Sequence, residues 1–430
     1  MLPTSTNRLD RPDEAEILNP DNRASIPFKA APGVTALAGV ATASSKIRHT
    51  RGVVQTLHQE ARGSLMSHAY HCEVVGSLLR PEYLKDAFAR YERGEIGLDE
   101  LTAVQDRAAL DAIALQEECG LEVLTDGEVR RRFWFDPLTA SLSGYNPDAP
   151  APVPFSSGAG RPAEPPPRLP AVTARLGRAR NLPLQEYLFA AANSRTPVKT
   201  TIAGMTYASV LWVPGLSDDA YPDRDAYLAD ALRLMIEVVA EVVAAGSTYI
   251  QLDSPRYTHL VSDDGQANLR KVGLDTETWL AEMIALDNAL IRAFPSVTWA
   301  VHLCRGNHRS MWSVEGGYDA IAEQLFNELA VDRILAEYDS PRSGNFEPLR
   351  FVPDDKVVVL GLITTKEPQL ENLDDLKRRI DEASRYVPLD RLALSPQCGF
   401  ASTLPGNLVT EADQRAKLEL LCRVAREVWN

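Results

Sequence analysis

The chain repeats one pattern of hydrophobic and polar positions: a short β-branched or apolar run, a polar loop and an amphipathic helix. Strands that alternate with helices form parallel βα units. The pattern predicts strands at residues 73–77, 121–126, 197–204, 247–253, 297–304, 333–339, 356–364 and 391–396. It predicts long helices at residues 98–120, 223–246, 275–294, 373–387 and 411–429. Eight βα units predict an α/β fold of the closed (β/α)8 type, the TIM barrel. A doubly wound open sheet is the alternative if the strand count is wrong by one or two.

Two segments lack this pattern. Residues 1–65 are rich in Ala, Ser, Thr, Pro and Arg without sustained periodicity, which predicts a flexible N-terminal extension. Residues 146–170 contain too much Pro and Gly for the interior of a helix or strand, so we expect a long loop inserted after the second predicted strand. Residues 66–430 are then predicted to form a single barrel domain.

Composition excludes several classes of protein. The charge balance is 45 − 59 = −14 and the basic clusters are short, which argues against a nucleic-acid partner. The apolar stretch "GVTALAGVA" is well short of the roughly 20 residues that cross a bilayer, so no membrane span or signal peptide is predicted. Five widely spaced cysteines do not form a disulfide framework and fit a reducing cytoplasm.

Polar side chains with chemical potential follow the predicted strands. In a (β/α)8 barrel these carboxyl ends meet at one rim, where active sites lie. In chain order the side chains are Ser77, Arg80, Glu128, Asp253, His302, Cys304, Glu337, Asp339 and Cys398. Each has an ordinary alternative, because buried cysteines act as small hydrophobes, carboxylates cap helices and single histidines occur in cores. Their coincidence at one rim favours a functional site.

His302 and Cys304 lie two residues apart on one strand, so their side chains project from the same face. With Cys398 they provide the imidazole and thiolate ligands that zinc prefers, and Glu337 or Asp339 would add a displaceable oxygen ligand. A sulfur-rich zinc ion activates water weakly but lowers the pKa of a thiol, which predicts alkyl transfer to sulfur. His308 lies beyond the strand and is predicted to be a solvated loop residue.

The motifs "VGSLLRP", "TDGE", "YIQLDSP", "HLCRGN", "EYDSPRSG" and "LSPQCGF" occur in this order. The set resembles the catalytic domain of cobalamin-independent methionine synthase and, more closely, its short single-domain relatives, which include epoxyalkane:coenzyme M transferase. The resemblance implies a zinc-dependent barrel that transfers a methyl or alkyl group to a thiol, such as homocysteine to give methionine. In this resemblance His302, Cys304 and Cys398 match the zinc ligands. The acidic ligand matches Glu337, or Asp339 if the alignment follows the next Arg-Ser pair.

The same resemblance implies the substrate-binding residues. Glu128 and Asp253 match acids that hold the amino group of homocysteine, and Ser77 belongs to the loop that receives its carboxylate; Arg80 of that loop is predicted to bind substrate with them. Ser254 replaces a glutamate of methionine synthases, and residues 364–366 replace a histidine. These departures leave the methyl donor open between a folate and a corrinoid.

Alternative functions follow from the same pattern. One is alkyl transfer between another thiol and an epoxide, a methoxy compound or a methyl-corrinoid. Another is a catalytically silent, metal-stabilised binding protein. A metal-free barrel that handles sugars or phosphates is compatible with the fold alone.

Overall fold

The computed structural model describes residues 70–151 and 169–429. The predicted extension at residues 1–65 therefore lies outside the described residues. The core is a parallel sheet of six strands in the spatial order β3-β4-β5-β6-β7-β8. These strands are β3 (Thr200–Ala203), β4 (Tyr249–Asp253), β5 (Thr298–Leu303), β6 (Arg333–Glu337), β7 (Val357–Ile363) and β8 (Leu392–Pro396). They confirm the last six predicted strands and an α/β fold with a parallel sheet.

Helices connect the strands. They are α1 (Glu82–Glu92), α2 (Leu98–Cys119), α3 (Asp136–Thr139), α4 (Leu182–Asn193), α5 (Met205–Ala208), α6 (Arg224–Ala244), α7 (Asp263–Lys271), α8 (Trp279–Arg292), α9 (Ala322–Glu328), α10 (Leu373–Ala383) and α11 (Glu411–Trp429). Local chemistry sets their ends: the Asp223 side chain accepts a hydrogen bond from the Ala226 N–H at the start of α6, and Gly120 ends α2 with φ 89°. No helix in the described ranges is long and apolar enough to span a membrane.

The first two predicted strands are much shorter than predicted. Each makes single parallel bridges instead: Cys72 pairs with Leu394, Glu73 with Val123, and Leu124 with Val198. Next to these bridges, side chains form hydrogen bonds with backbone groups of the same two segments. The Gln116 amide bonds both the N–H and the carbonyl of Thr125, at 3.1 and 2.8 Å, and the Thr125 hydroxyl donates to the Gly76 carbonyl at 2.7 Å.

The Pro-rich segment is also not a loop at its ends. β1 (Leu142–Ala151) and β2 (Leu169–Arg178) pair in an antiparallel fashion, so residues 146–151 and 169–170 are strand residues. Register shifts between Ser143 and Tyr145 and between Asn146 and Pro150 interrupt the pairing. Proline is tolerated at such bulges because its missing N–H breaks no regular ladder bond. Residues 152–168, the centre of the predicted loop, lie outside the described residues.

A buried ionic cluster occupies the amino-terminal ends of the strands. The Glu73 carboxylate is completely buried and accepts hydrogen bonds from Lys199 Nζ at 2.6 Å, Arg333 Nη2 at 2.8 Å and the Tyr249 hydroxyl at 2.8 Å. The two cations hold the pKa of Glu73 below its usual value against the effect of burial. The Glu73 carboxylate therefore connects its own bridge segment to the residue before β3 and to strands β4 and β6.

Replacing this carboxylate should be costly. We expect Glu73→Gln to lower the free energy of unfolding by about 3–5 kcal/mol, because it leaves Lys199 and Arg333 buried without a counter-charge. Urea unfolding measures the change. The control is Glu237→Gln, which removes an exposed partner of Arg233 and should cost less than about 1 kcal/mol. Equal losses in the two variants would contradict this account of the cluster.

Candidate metal centre and substrate pocket

Three predicted metal ligands meet at the carboxyl ends of the strands. The ligand atoms of His302, Cys304 and Cys398 all lie within 4.8 Å of one another, and all three residues are buried. His302 is on β5, Cys304 follows the last residue of that strand, and Cys398 comes two residues after β8. The sequence spacing on β5 therefore places imidazole and thiol side by side, and β8 brings the second thiol.

The chemistry of this cluster suits zinc. Both ring nitrogens of His302 are buried without a hydrogen-bond partner among the described residues, which is unusual for a buried polar group and fits a metal ligand. The Cys304 thiol and the His302 ring hold the pKa of Cys398 well below its usual value. One imidazole and two sulfurs form a three-ligand set that leaves a coordination position for substrate.

Glu337, the predicted fourth ligand, is not among these three mutually close residues. Its carboxylate accepts hydrogen bonds from the Arg305 N–H at 2.7 Å and from Arg342 Nη2 at 2.6 Å. Arg342 also bonds Asp339 at 3.0 Å and stacks on the Trp312 ring with 4.5 Å to the centroid. Burial raises the pKa of Glu337. The choice between Glu337 and Asp339 as an oxygen ligand thus stays a prediction.

The cluster opens into a small pocket with a cavity volume of about 40 Å³. Ser77, Glu128 and Asp253 line this pocket together with the three cluster residues. Trp134 and Pro255 add apolar wall. The predicted substrate residues and the predicted metal ligands therefore share one cavity, with the exception of Arg80 and Glu337.

Glu128 and Asp253 place two carboxyl groups on the pocket wall. Thr201 Oγ1 donates to Glu128 Oε1 at 2.7 Å, and Gln251 Nε2 donates to Asp253 Oδ1 at 2.7 Å. Burial, followed by the negative charge of Glu128, raises the pKa of Asp253 to about 7. Arg131 Nη1 lies 3.3 Å from Glu128 Oε1, so the pair already has one cationic partner, and a substrate ammonium group would add a second.

Comparison with known proteins adds a second line of observation. The sequence model of the family described as "Cobalamin-independent synthase, Catalytic domain" matches residues 72–426. The chain belongs to this family. Its relatives include the uncharacterized protein YxjH of Bacillus subtilis (strain 168), which is 38% identical over 366 residues, or 84% of this chain and 95% of the relative. The methionine synthase of Pyrococcus abyssi is 23% identical, with 76% of this chain and 85% of the relative covered.

A solved structure of the same family is similar as well. The putative vitamin-B12 independent methionine synthase from Listeria monocytogenes matches with a TM-score of 0.63 and 27% identity, covering 84% of this chain and 98% of that chain. The family membership and this structural similarity support a methionine synthase-type catalytic domain, as the motif order predicted.

Ser77 and Arg80 have different surroundings in this family member. Ser77 faces the pocket and packs against Gly399, where an added Cβ would lie 2.0 Å from Ser77 Oγ. Arg80 is buried and is not among the residues that line the pocket. Its guanidinium donates to the carbonyls of Ala401 at 2.7 Å and Glu128 at 2.9 Å. Arg80 therefore connects the loops that carry the site, and this contact pattern favours a positioning role over contact with substrate.

The sequence did not single out all pocket residues. Asn307, Gly306 and Ser402 also line the cavity, and only the "HLCRGN" run drew attention to the first two. His308 is buried, with Nδ1 3.0 Å from Thr403 Oγ1, so the prediction of a solvated loop histidine is wrong. A bridge between His308 and Met311 closes a turn within this loop, and the contact with Thr403 attaches the loop to the residues that follow β8.

One glycine makes room for the Glu128 carboxylate. A Cβ at Gly76 would lie 2.2 Å from Glu128 Oε1, so we expect Gly76→Ala to displace this carboxylate and to lower the free energy of unfolding by about 1–3 kcal/mol. Gly97→Ala is the control, because an added Cβ there meets no atom within 4 Å and should cost at most about 1 kcal/mol at this helix N-cap. Urea unfolding compares them. An unchanged free energy of unfolding in Gly76→Ala would contradict the predicted clash between the added Cβ and the Glu128 carboxylate.

Proposed function

We propose that this protein is a zinc-dependent methyltransferase that transfers a methyl group to a thiol, with homocysteine as acceptor and methionine as product. The observation that carries the proposal is the buried His302, Cys304 and Cys398 cluster, which opens into the pocket that holds Glu128 and Asp253. Membership of the cobalamin-independent synthase family supports it. The five free cysteines of the described chain support a reducing compartment, the cytoplasm.

We also infer that the scaffold is a closed (β/α)8 barrel. The six-stranded sheet ends at β3 and β8, and two short segments lie between these edges. Residue 72 bridges to β8, residue 73 to residue 123, and residue 124 to residue 198, just before β3. The chain of parallel bridges thus runs from one edge of the sheet to the other, as eight strands in a ring require.

In this proposal His302, Cys304 and Cys398 would hold the metal, and Glu337 or Asp339 would supply a displaceable oxygen ligand. Bound zinc would lower the pKa of the substrate thiol and keep it as a thiolate at neutral pH. The low pKa of Cys398 suits a sulfur that binds as thiolate. The sulfur-rich set reduces the net charge of the centre, which favours sulfur alkylation over hydrolysis.

The pocket residues fix the acceptor. Glu128 and Asp253 bind its ammonium group, and the loop at Ser77 receives its carboxylate. The pocket wall excludes water around the thiol, and this arrangement aligns the sulfur for in-line attack on the methyl group of the donor. This alignment lowers the entropic cost of bringing the sulfur and the methyl group together, relative to the same reaction in solution.

A buried lysine bears on the identity of the methyl donor. Lys366 is buried, and its ammonium group bonds the Gly306 carbonyl at 3.1 Å, Asn307 Oδ1 at 2.9 Å and the Met311 carbonyl at 3.2 Å. Where methionine synthases carry a histidine after the seventh strand, this chain has a lysine that is fully engaged by a loop. This observation favours a donor whose leaving group needs no proton, such as a methyl-corrinoid, over a methoxy compound or an epoxide, whose alkoxide product must be protonated. Incubation of each donor, and of methylfolate, with a thiol panel and detection of the thioether by mass spectrometry separates them.

Metal analysis tests the cluster. We expect about one zinc ion per chain, lost in Cys398→Ser because two ligands hold zinc poorly. Cys119→Ser is the matched control, since Cys119 is a buried cysteine at the end of α2 and lies outside the cluster. Inductively coupled plasma mass spectrometry on protein purified without chelators gives the ratio. Equal zinc contents in the two variants, or none in the native chain, would rule out this site.

Binding of the acceptor can be observed at the metal. Homocysteine should add one sulfur ligand in the zinc-edge X-ray absorption spectrum. Glu128→Gln should weaken homocysteine binding by roughly tenfold or more, because a charge-assisted contact to the ammonium group is lost. The control is Glu82→Gln, whose side chain is 88% exposed and which should bind as the native protein does. A spectrum without an added sulfur would exclude homocysteine as the acceptor.

A further inference from the structure

Five arginines are buried in the described chain, and four of them have oxygen partners that balance the guanidinium. Arg131 bonds Glu186 at 2.6 Å, and Arg333 bonds Glu73 at 2.8 Å. Arg80 and Arg305 donate to backbone carbonyls, such as that of Ala401 at 2.7 Å and that of Gly316 at 2.6 Å. Arg256 differs from this group, because no carboxylate or carbonyl of the described residues accepts a hydrogen bond from it within the structure.

The neighbours of Arg256 are neutral. Its Nη1 lies 3.5 Å from His259 Nε2, and its guanidinium is hydrogen-bonded to the Tyr207 side chain, whose ring centre lies 5.4 Å away. Burial and the charge of Arg256 lower the pKa of His259 well below its usual value, and burial raises the pKa of Tyr207. Nδ1 of His259 is buried without a partner in the described chain. A guanidinium that is only 5% exposed thus lacks a counter-charge, which costs free energy unless an anion binds there.

Arg256 is also next to the proposed site. It follows Pro255, which lines the pocket; Arg256 itself, like Arg80, is not among the lining residues and lies behind this wall. The turn that carries it is attached to β5 and its extension, because Ser254 N donates to the His302 carbonyl at 3.1 Å and the Thr258 hydroxyl donates to the Cys304 carbonyl at 2.7 Å. On the other side, the Tyr207 ring packs against Trp134, another pocket residue, with 4.5 Å between centroids.

We propose that Arg256 binds an oxyanionic group, a carboxylate, sulfonate or phosphate, on a substrate that occupies the pocket. A guanidinium presents paired donors that match such a group, and its rigid fork suits recognition at a buried position. The inference rests on the proposed function, because it assigns the oxyanion to a substrate of the thiol-alkylating site. The oxyanion belongs either to the acceptor thiol, in which case Arg256 binds the carboxylate in place of the loop at Ser77, or to the alkyl donor, and the experiment separates the two.

The test uses the full chain with cobalt in place of zinc, so that thiolate-to-metal absorption reports binding of a thiol. Two thiols of equal length are compared, 3-mercaptopropionate and 3-mercaptopropanol. If the acceptor carries the oxyanion, the native protein should bind the carboxylate thiol about tenfold or more tightly, and Arg256→Met should bind both thiols equally. If the donor carries it, both thiols should bind equally, and inorganic phosphate should raise the melting temperature of the native protein but not of Arg256→Met.

Stability separates this role from a structural one. Arg256→Met should keep or raise the melting temperature, because it removes a buried charge that has no carboxylate partner among the described residues. The control is Arg333→Met, which leaves Glu73 with one fewer cation and should lower the melting temperature. The inference is overturned if Arg256→Met is as destabilised as Arg333→Met, or if neither the thiol preference nor the effect of phosphate depends on Arg256. Failure of the proposed function looks different: neither thiol would change the cobalt spectrum, and the phosphate measurement would still decide the role of Arg256.

Discussion

The candidate site depends on one side-chain amide. Asn307 Nδ2 donates to the Gly399 carbonyl at 2.7 Å and to Ser402 Oγ at 3.0 Å, while Asn307 Oδ1 accepts from Lys366 Nζ at 2.9 Å. Three loops, those after β5, β7 and β8, therefore meet at this amide. Cys304 and Cys398 belong to two of these loops, so the separation of their sulfurs follows from how the amide holds the loops together. The cluster is defined by polar contacts between loops as much as by the strands themselves.

The two ends of the strands use charge in opposite ways. At the amino-terminal end Glu73 is balanced by Lys199 and Arg333, and this cluster serves stability. At the carboxyl end Arg131 lies 3.3 Å from Glu128, whereas the raised pKa of Asp253 and the absence of a carboxylate partner for Arg256 among the described residues leave these two groups for a ligand to engage. The charged groups that stabilise the fold thus lie at the amino-terminal ends of the strands, and those available for binding lie at the carboxyl ends. This separation allows charged side chains at the carboxyl ends that would not stabilise a core by themselves.

The sequence predicted the parts of this structure that follow from periodicity. Apolar runs of four to seven residues gave the six strands of the sheet, and the two-residue spacing on β5 put His302 and Cys304 on one face. The lengths of the first two strands were overestimated, because the backbone pairs there only over short parallel bridges. The strand pair β1–β2 was missed, since proline and glycine normally indicate loops and the pairing contains bulges. Arg80 and His308 could not be placed, because loop contacts such as those to Ala401 and Thr403 have no periodic signal.

The hydrogen bond between Arg342 and Glu337 has a spectroscopic consequence. Arg342 lies over the indole of Trp312 while it bonds the Glu337 carboxylate. An indole ring responds to a cation held against its face. Any event that draws the carboxylate away from Arg342 also frees the guanidinium to move relative to Trp312. The fluorescence emission of this half-buried tryptophan is therefore a natural optical probe of whether the acid next to the cysteine pair is held by arginine or has exchanged its partner.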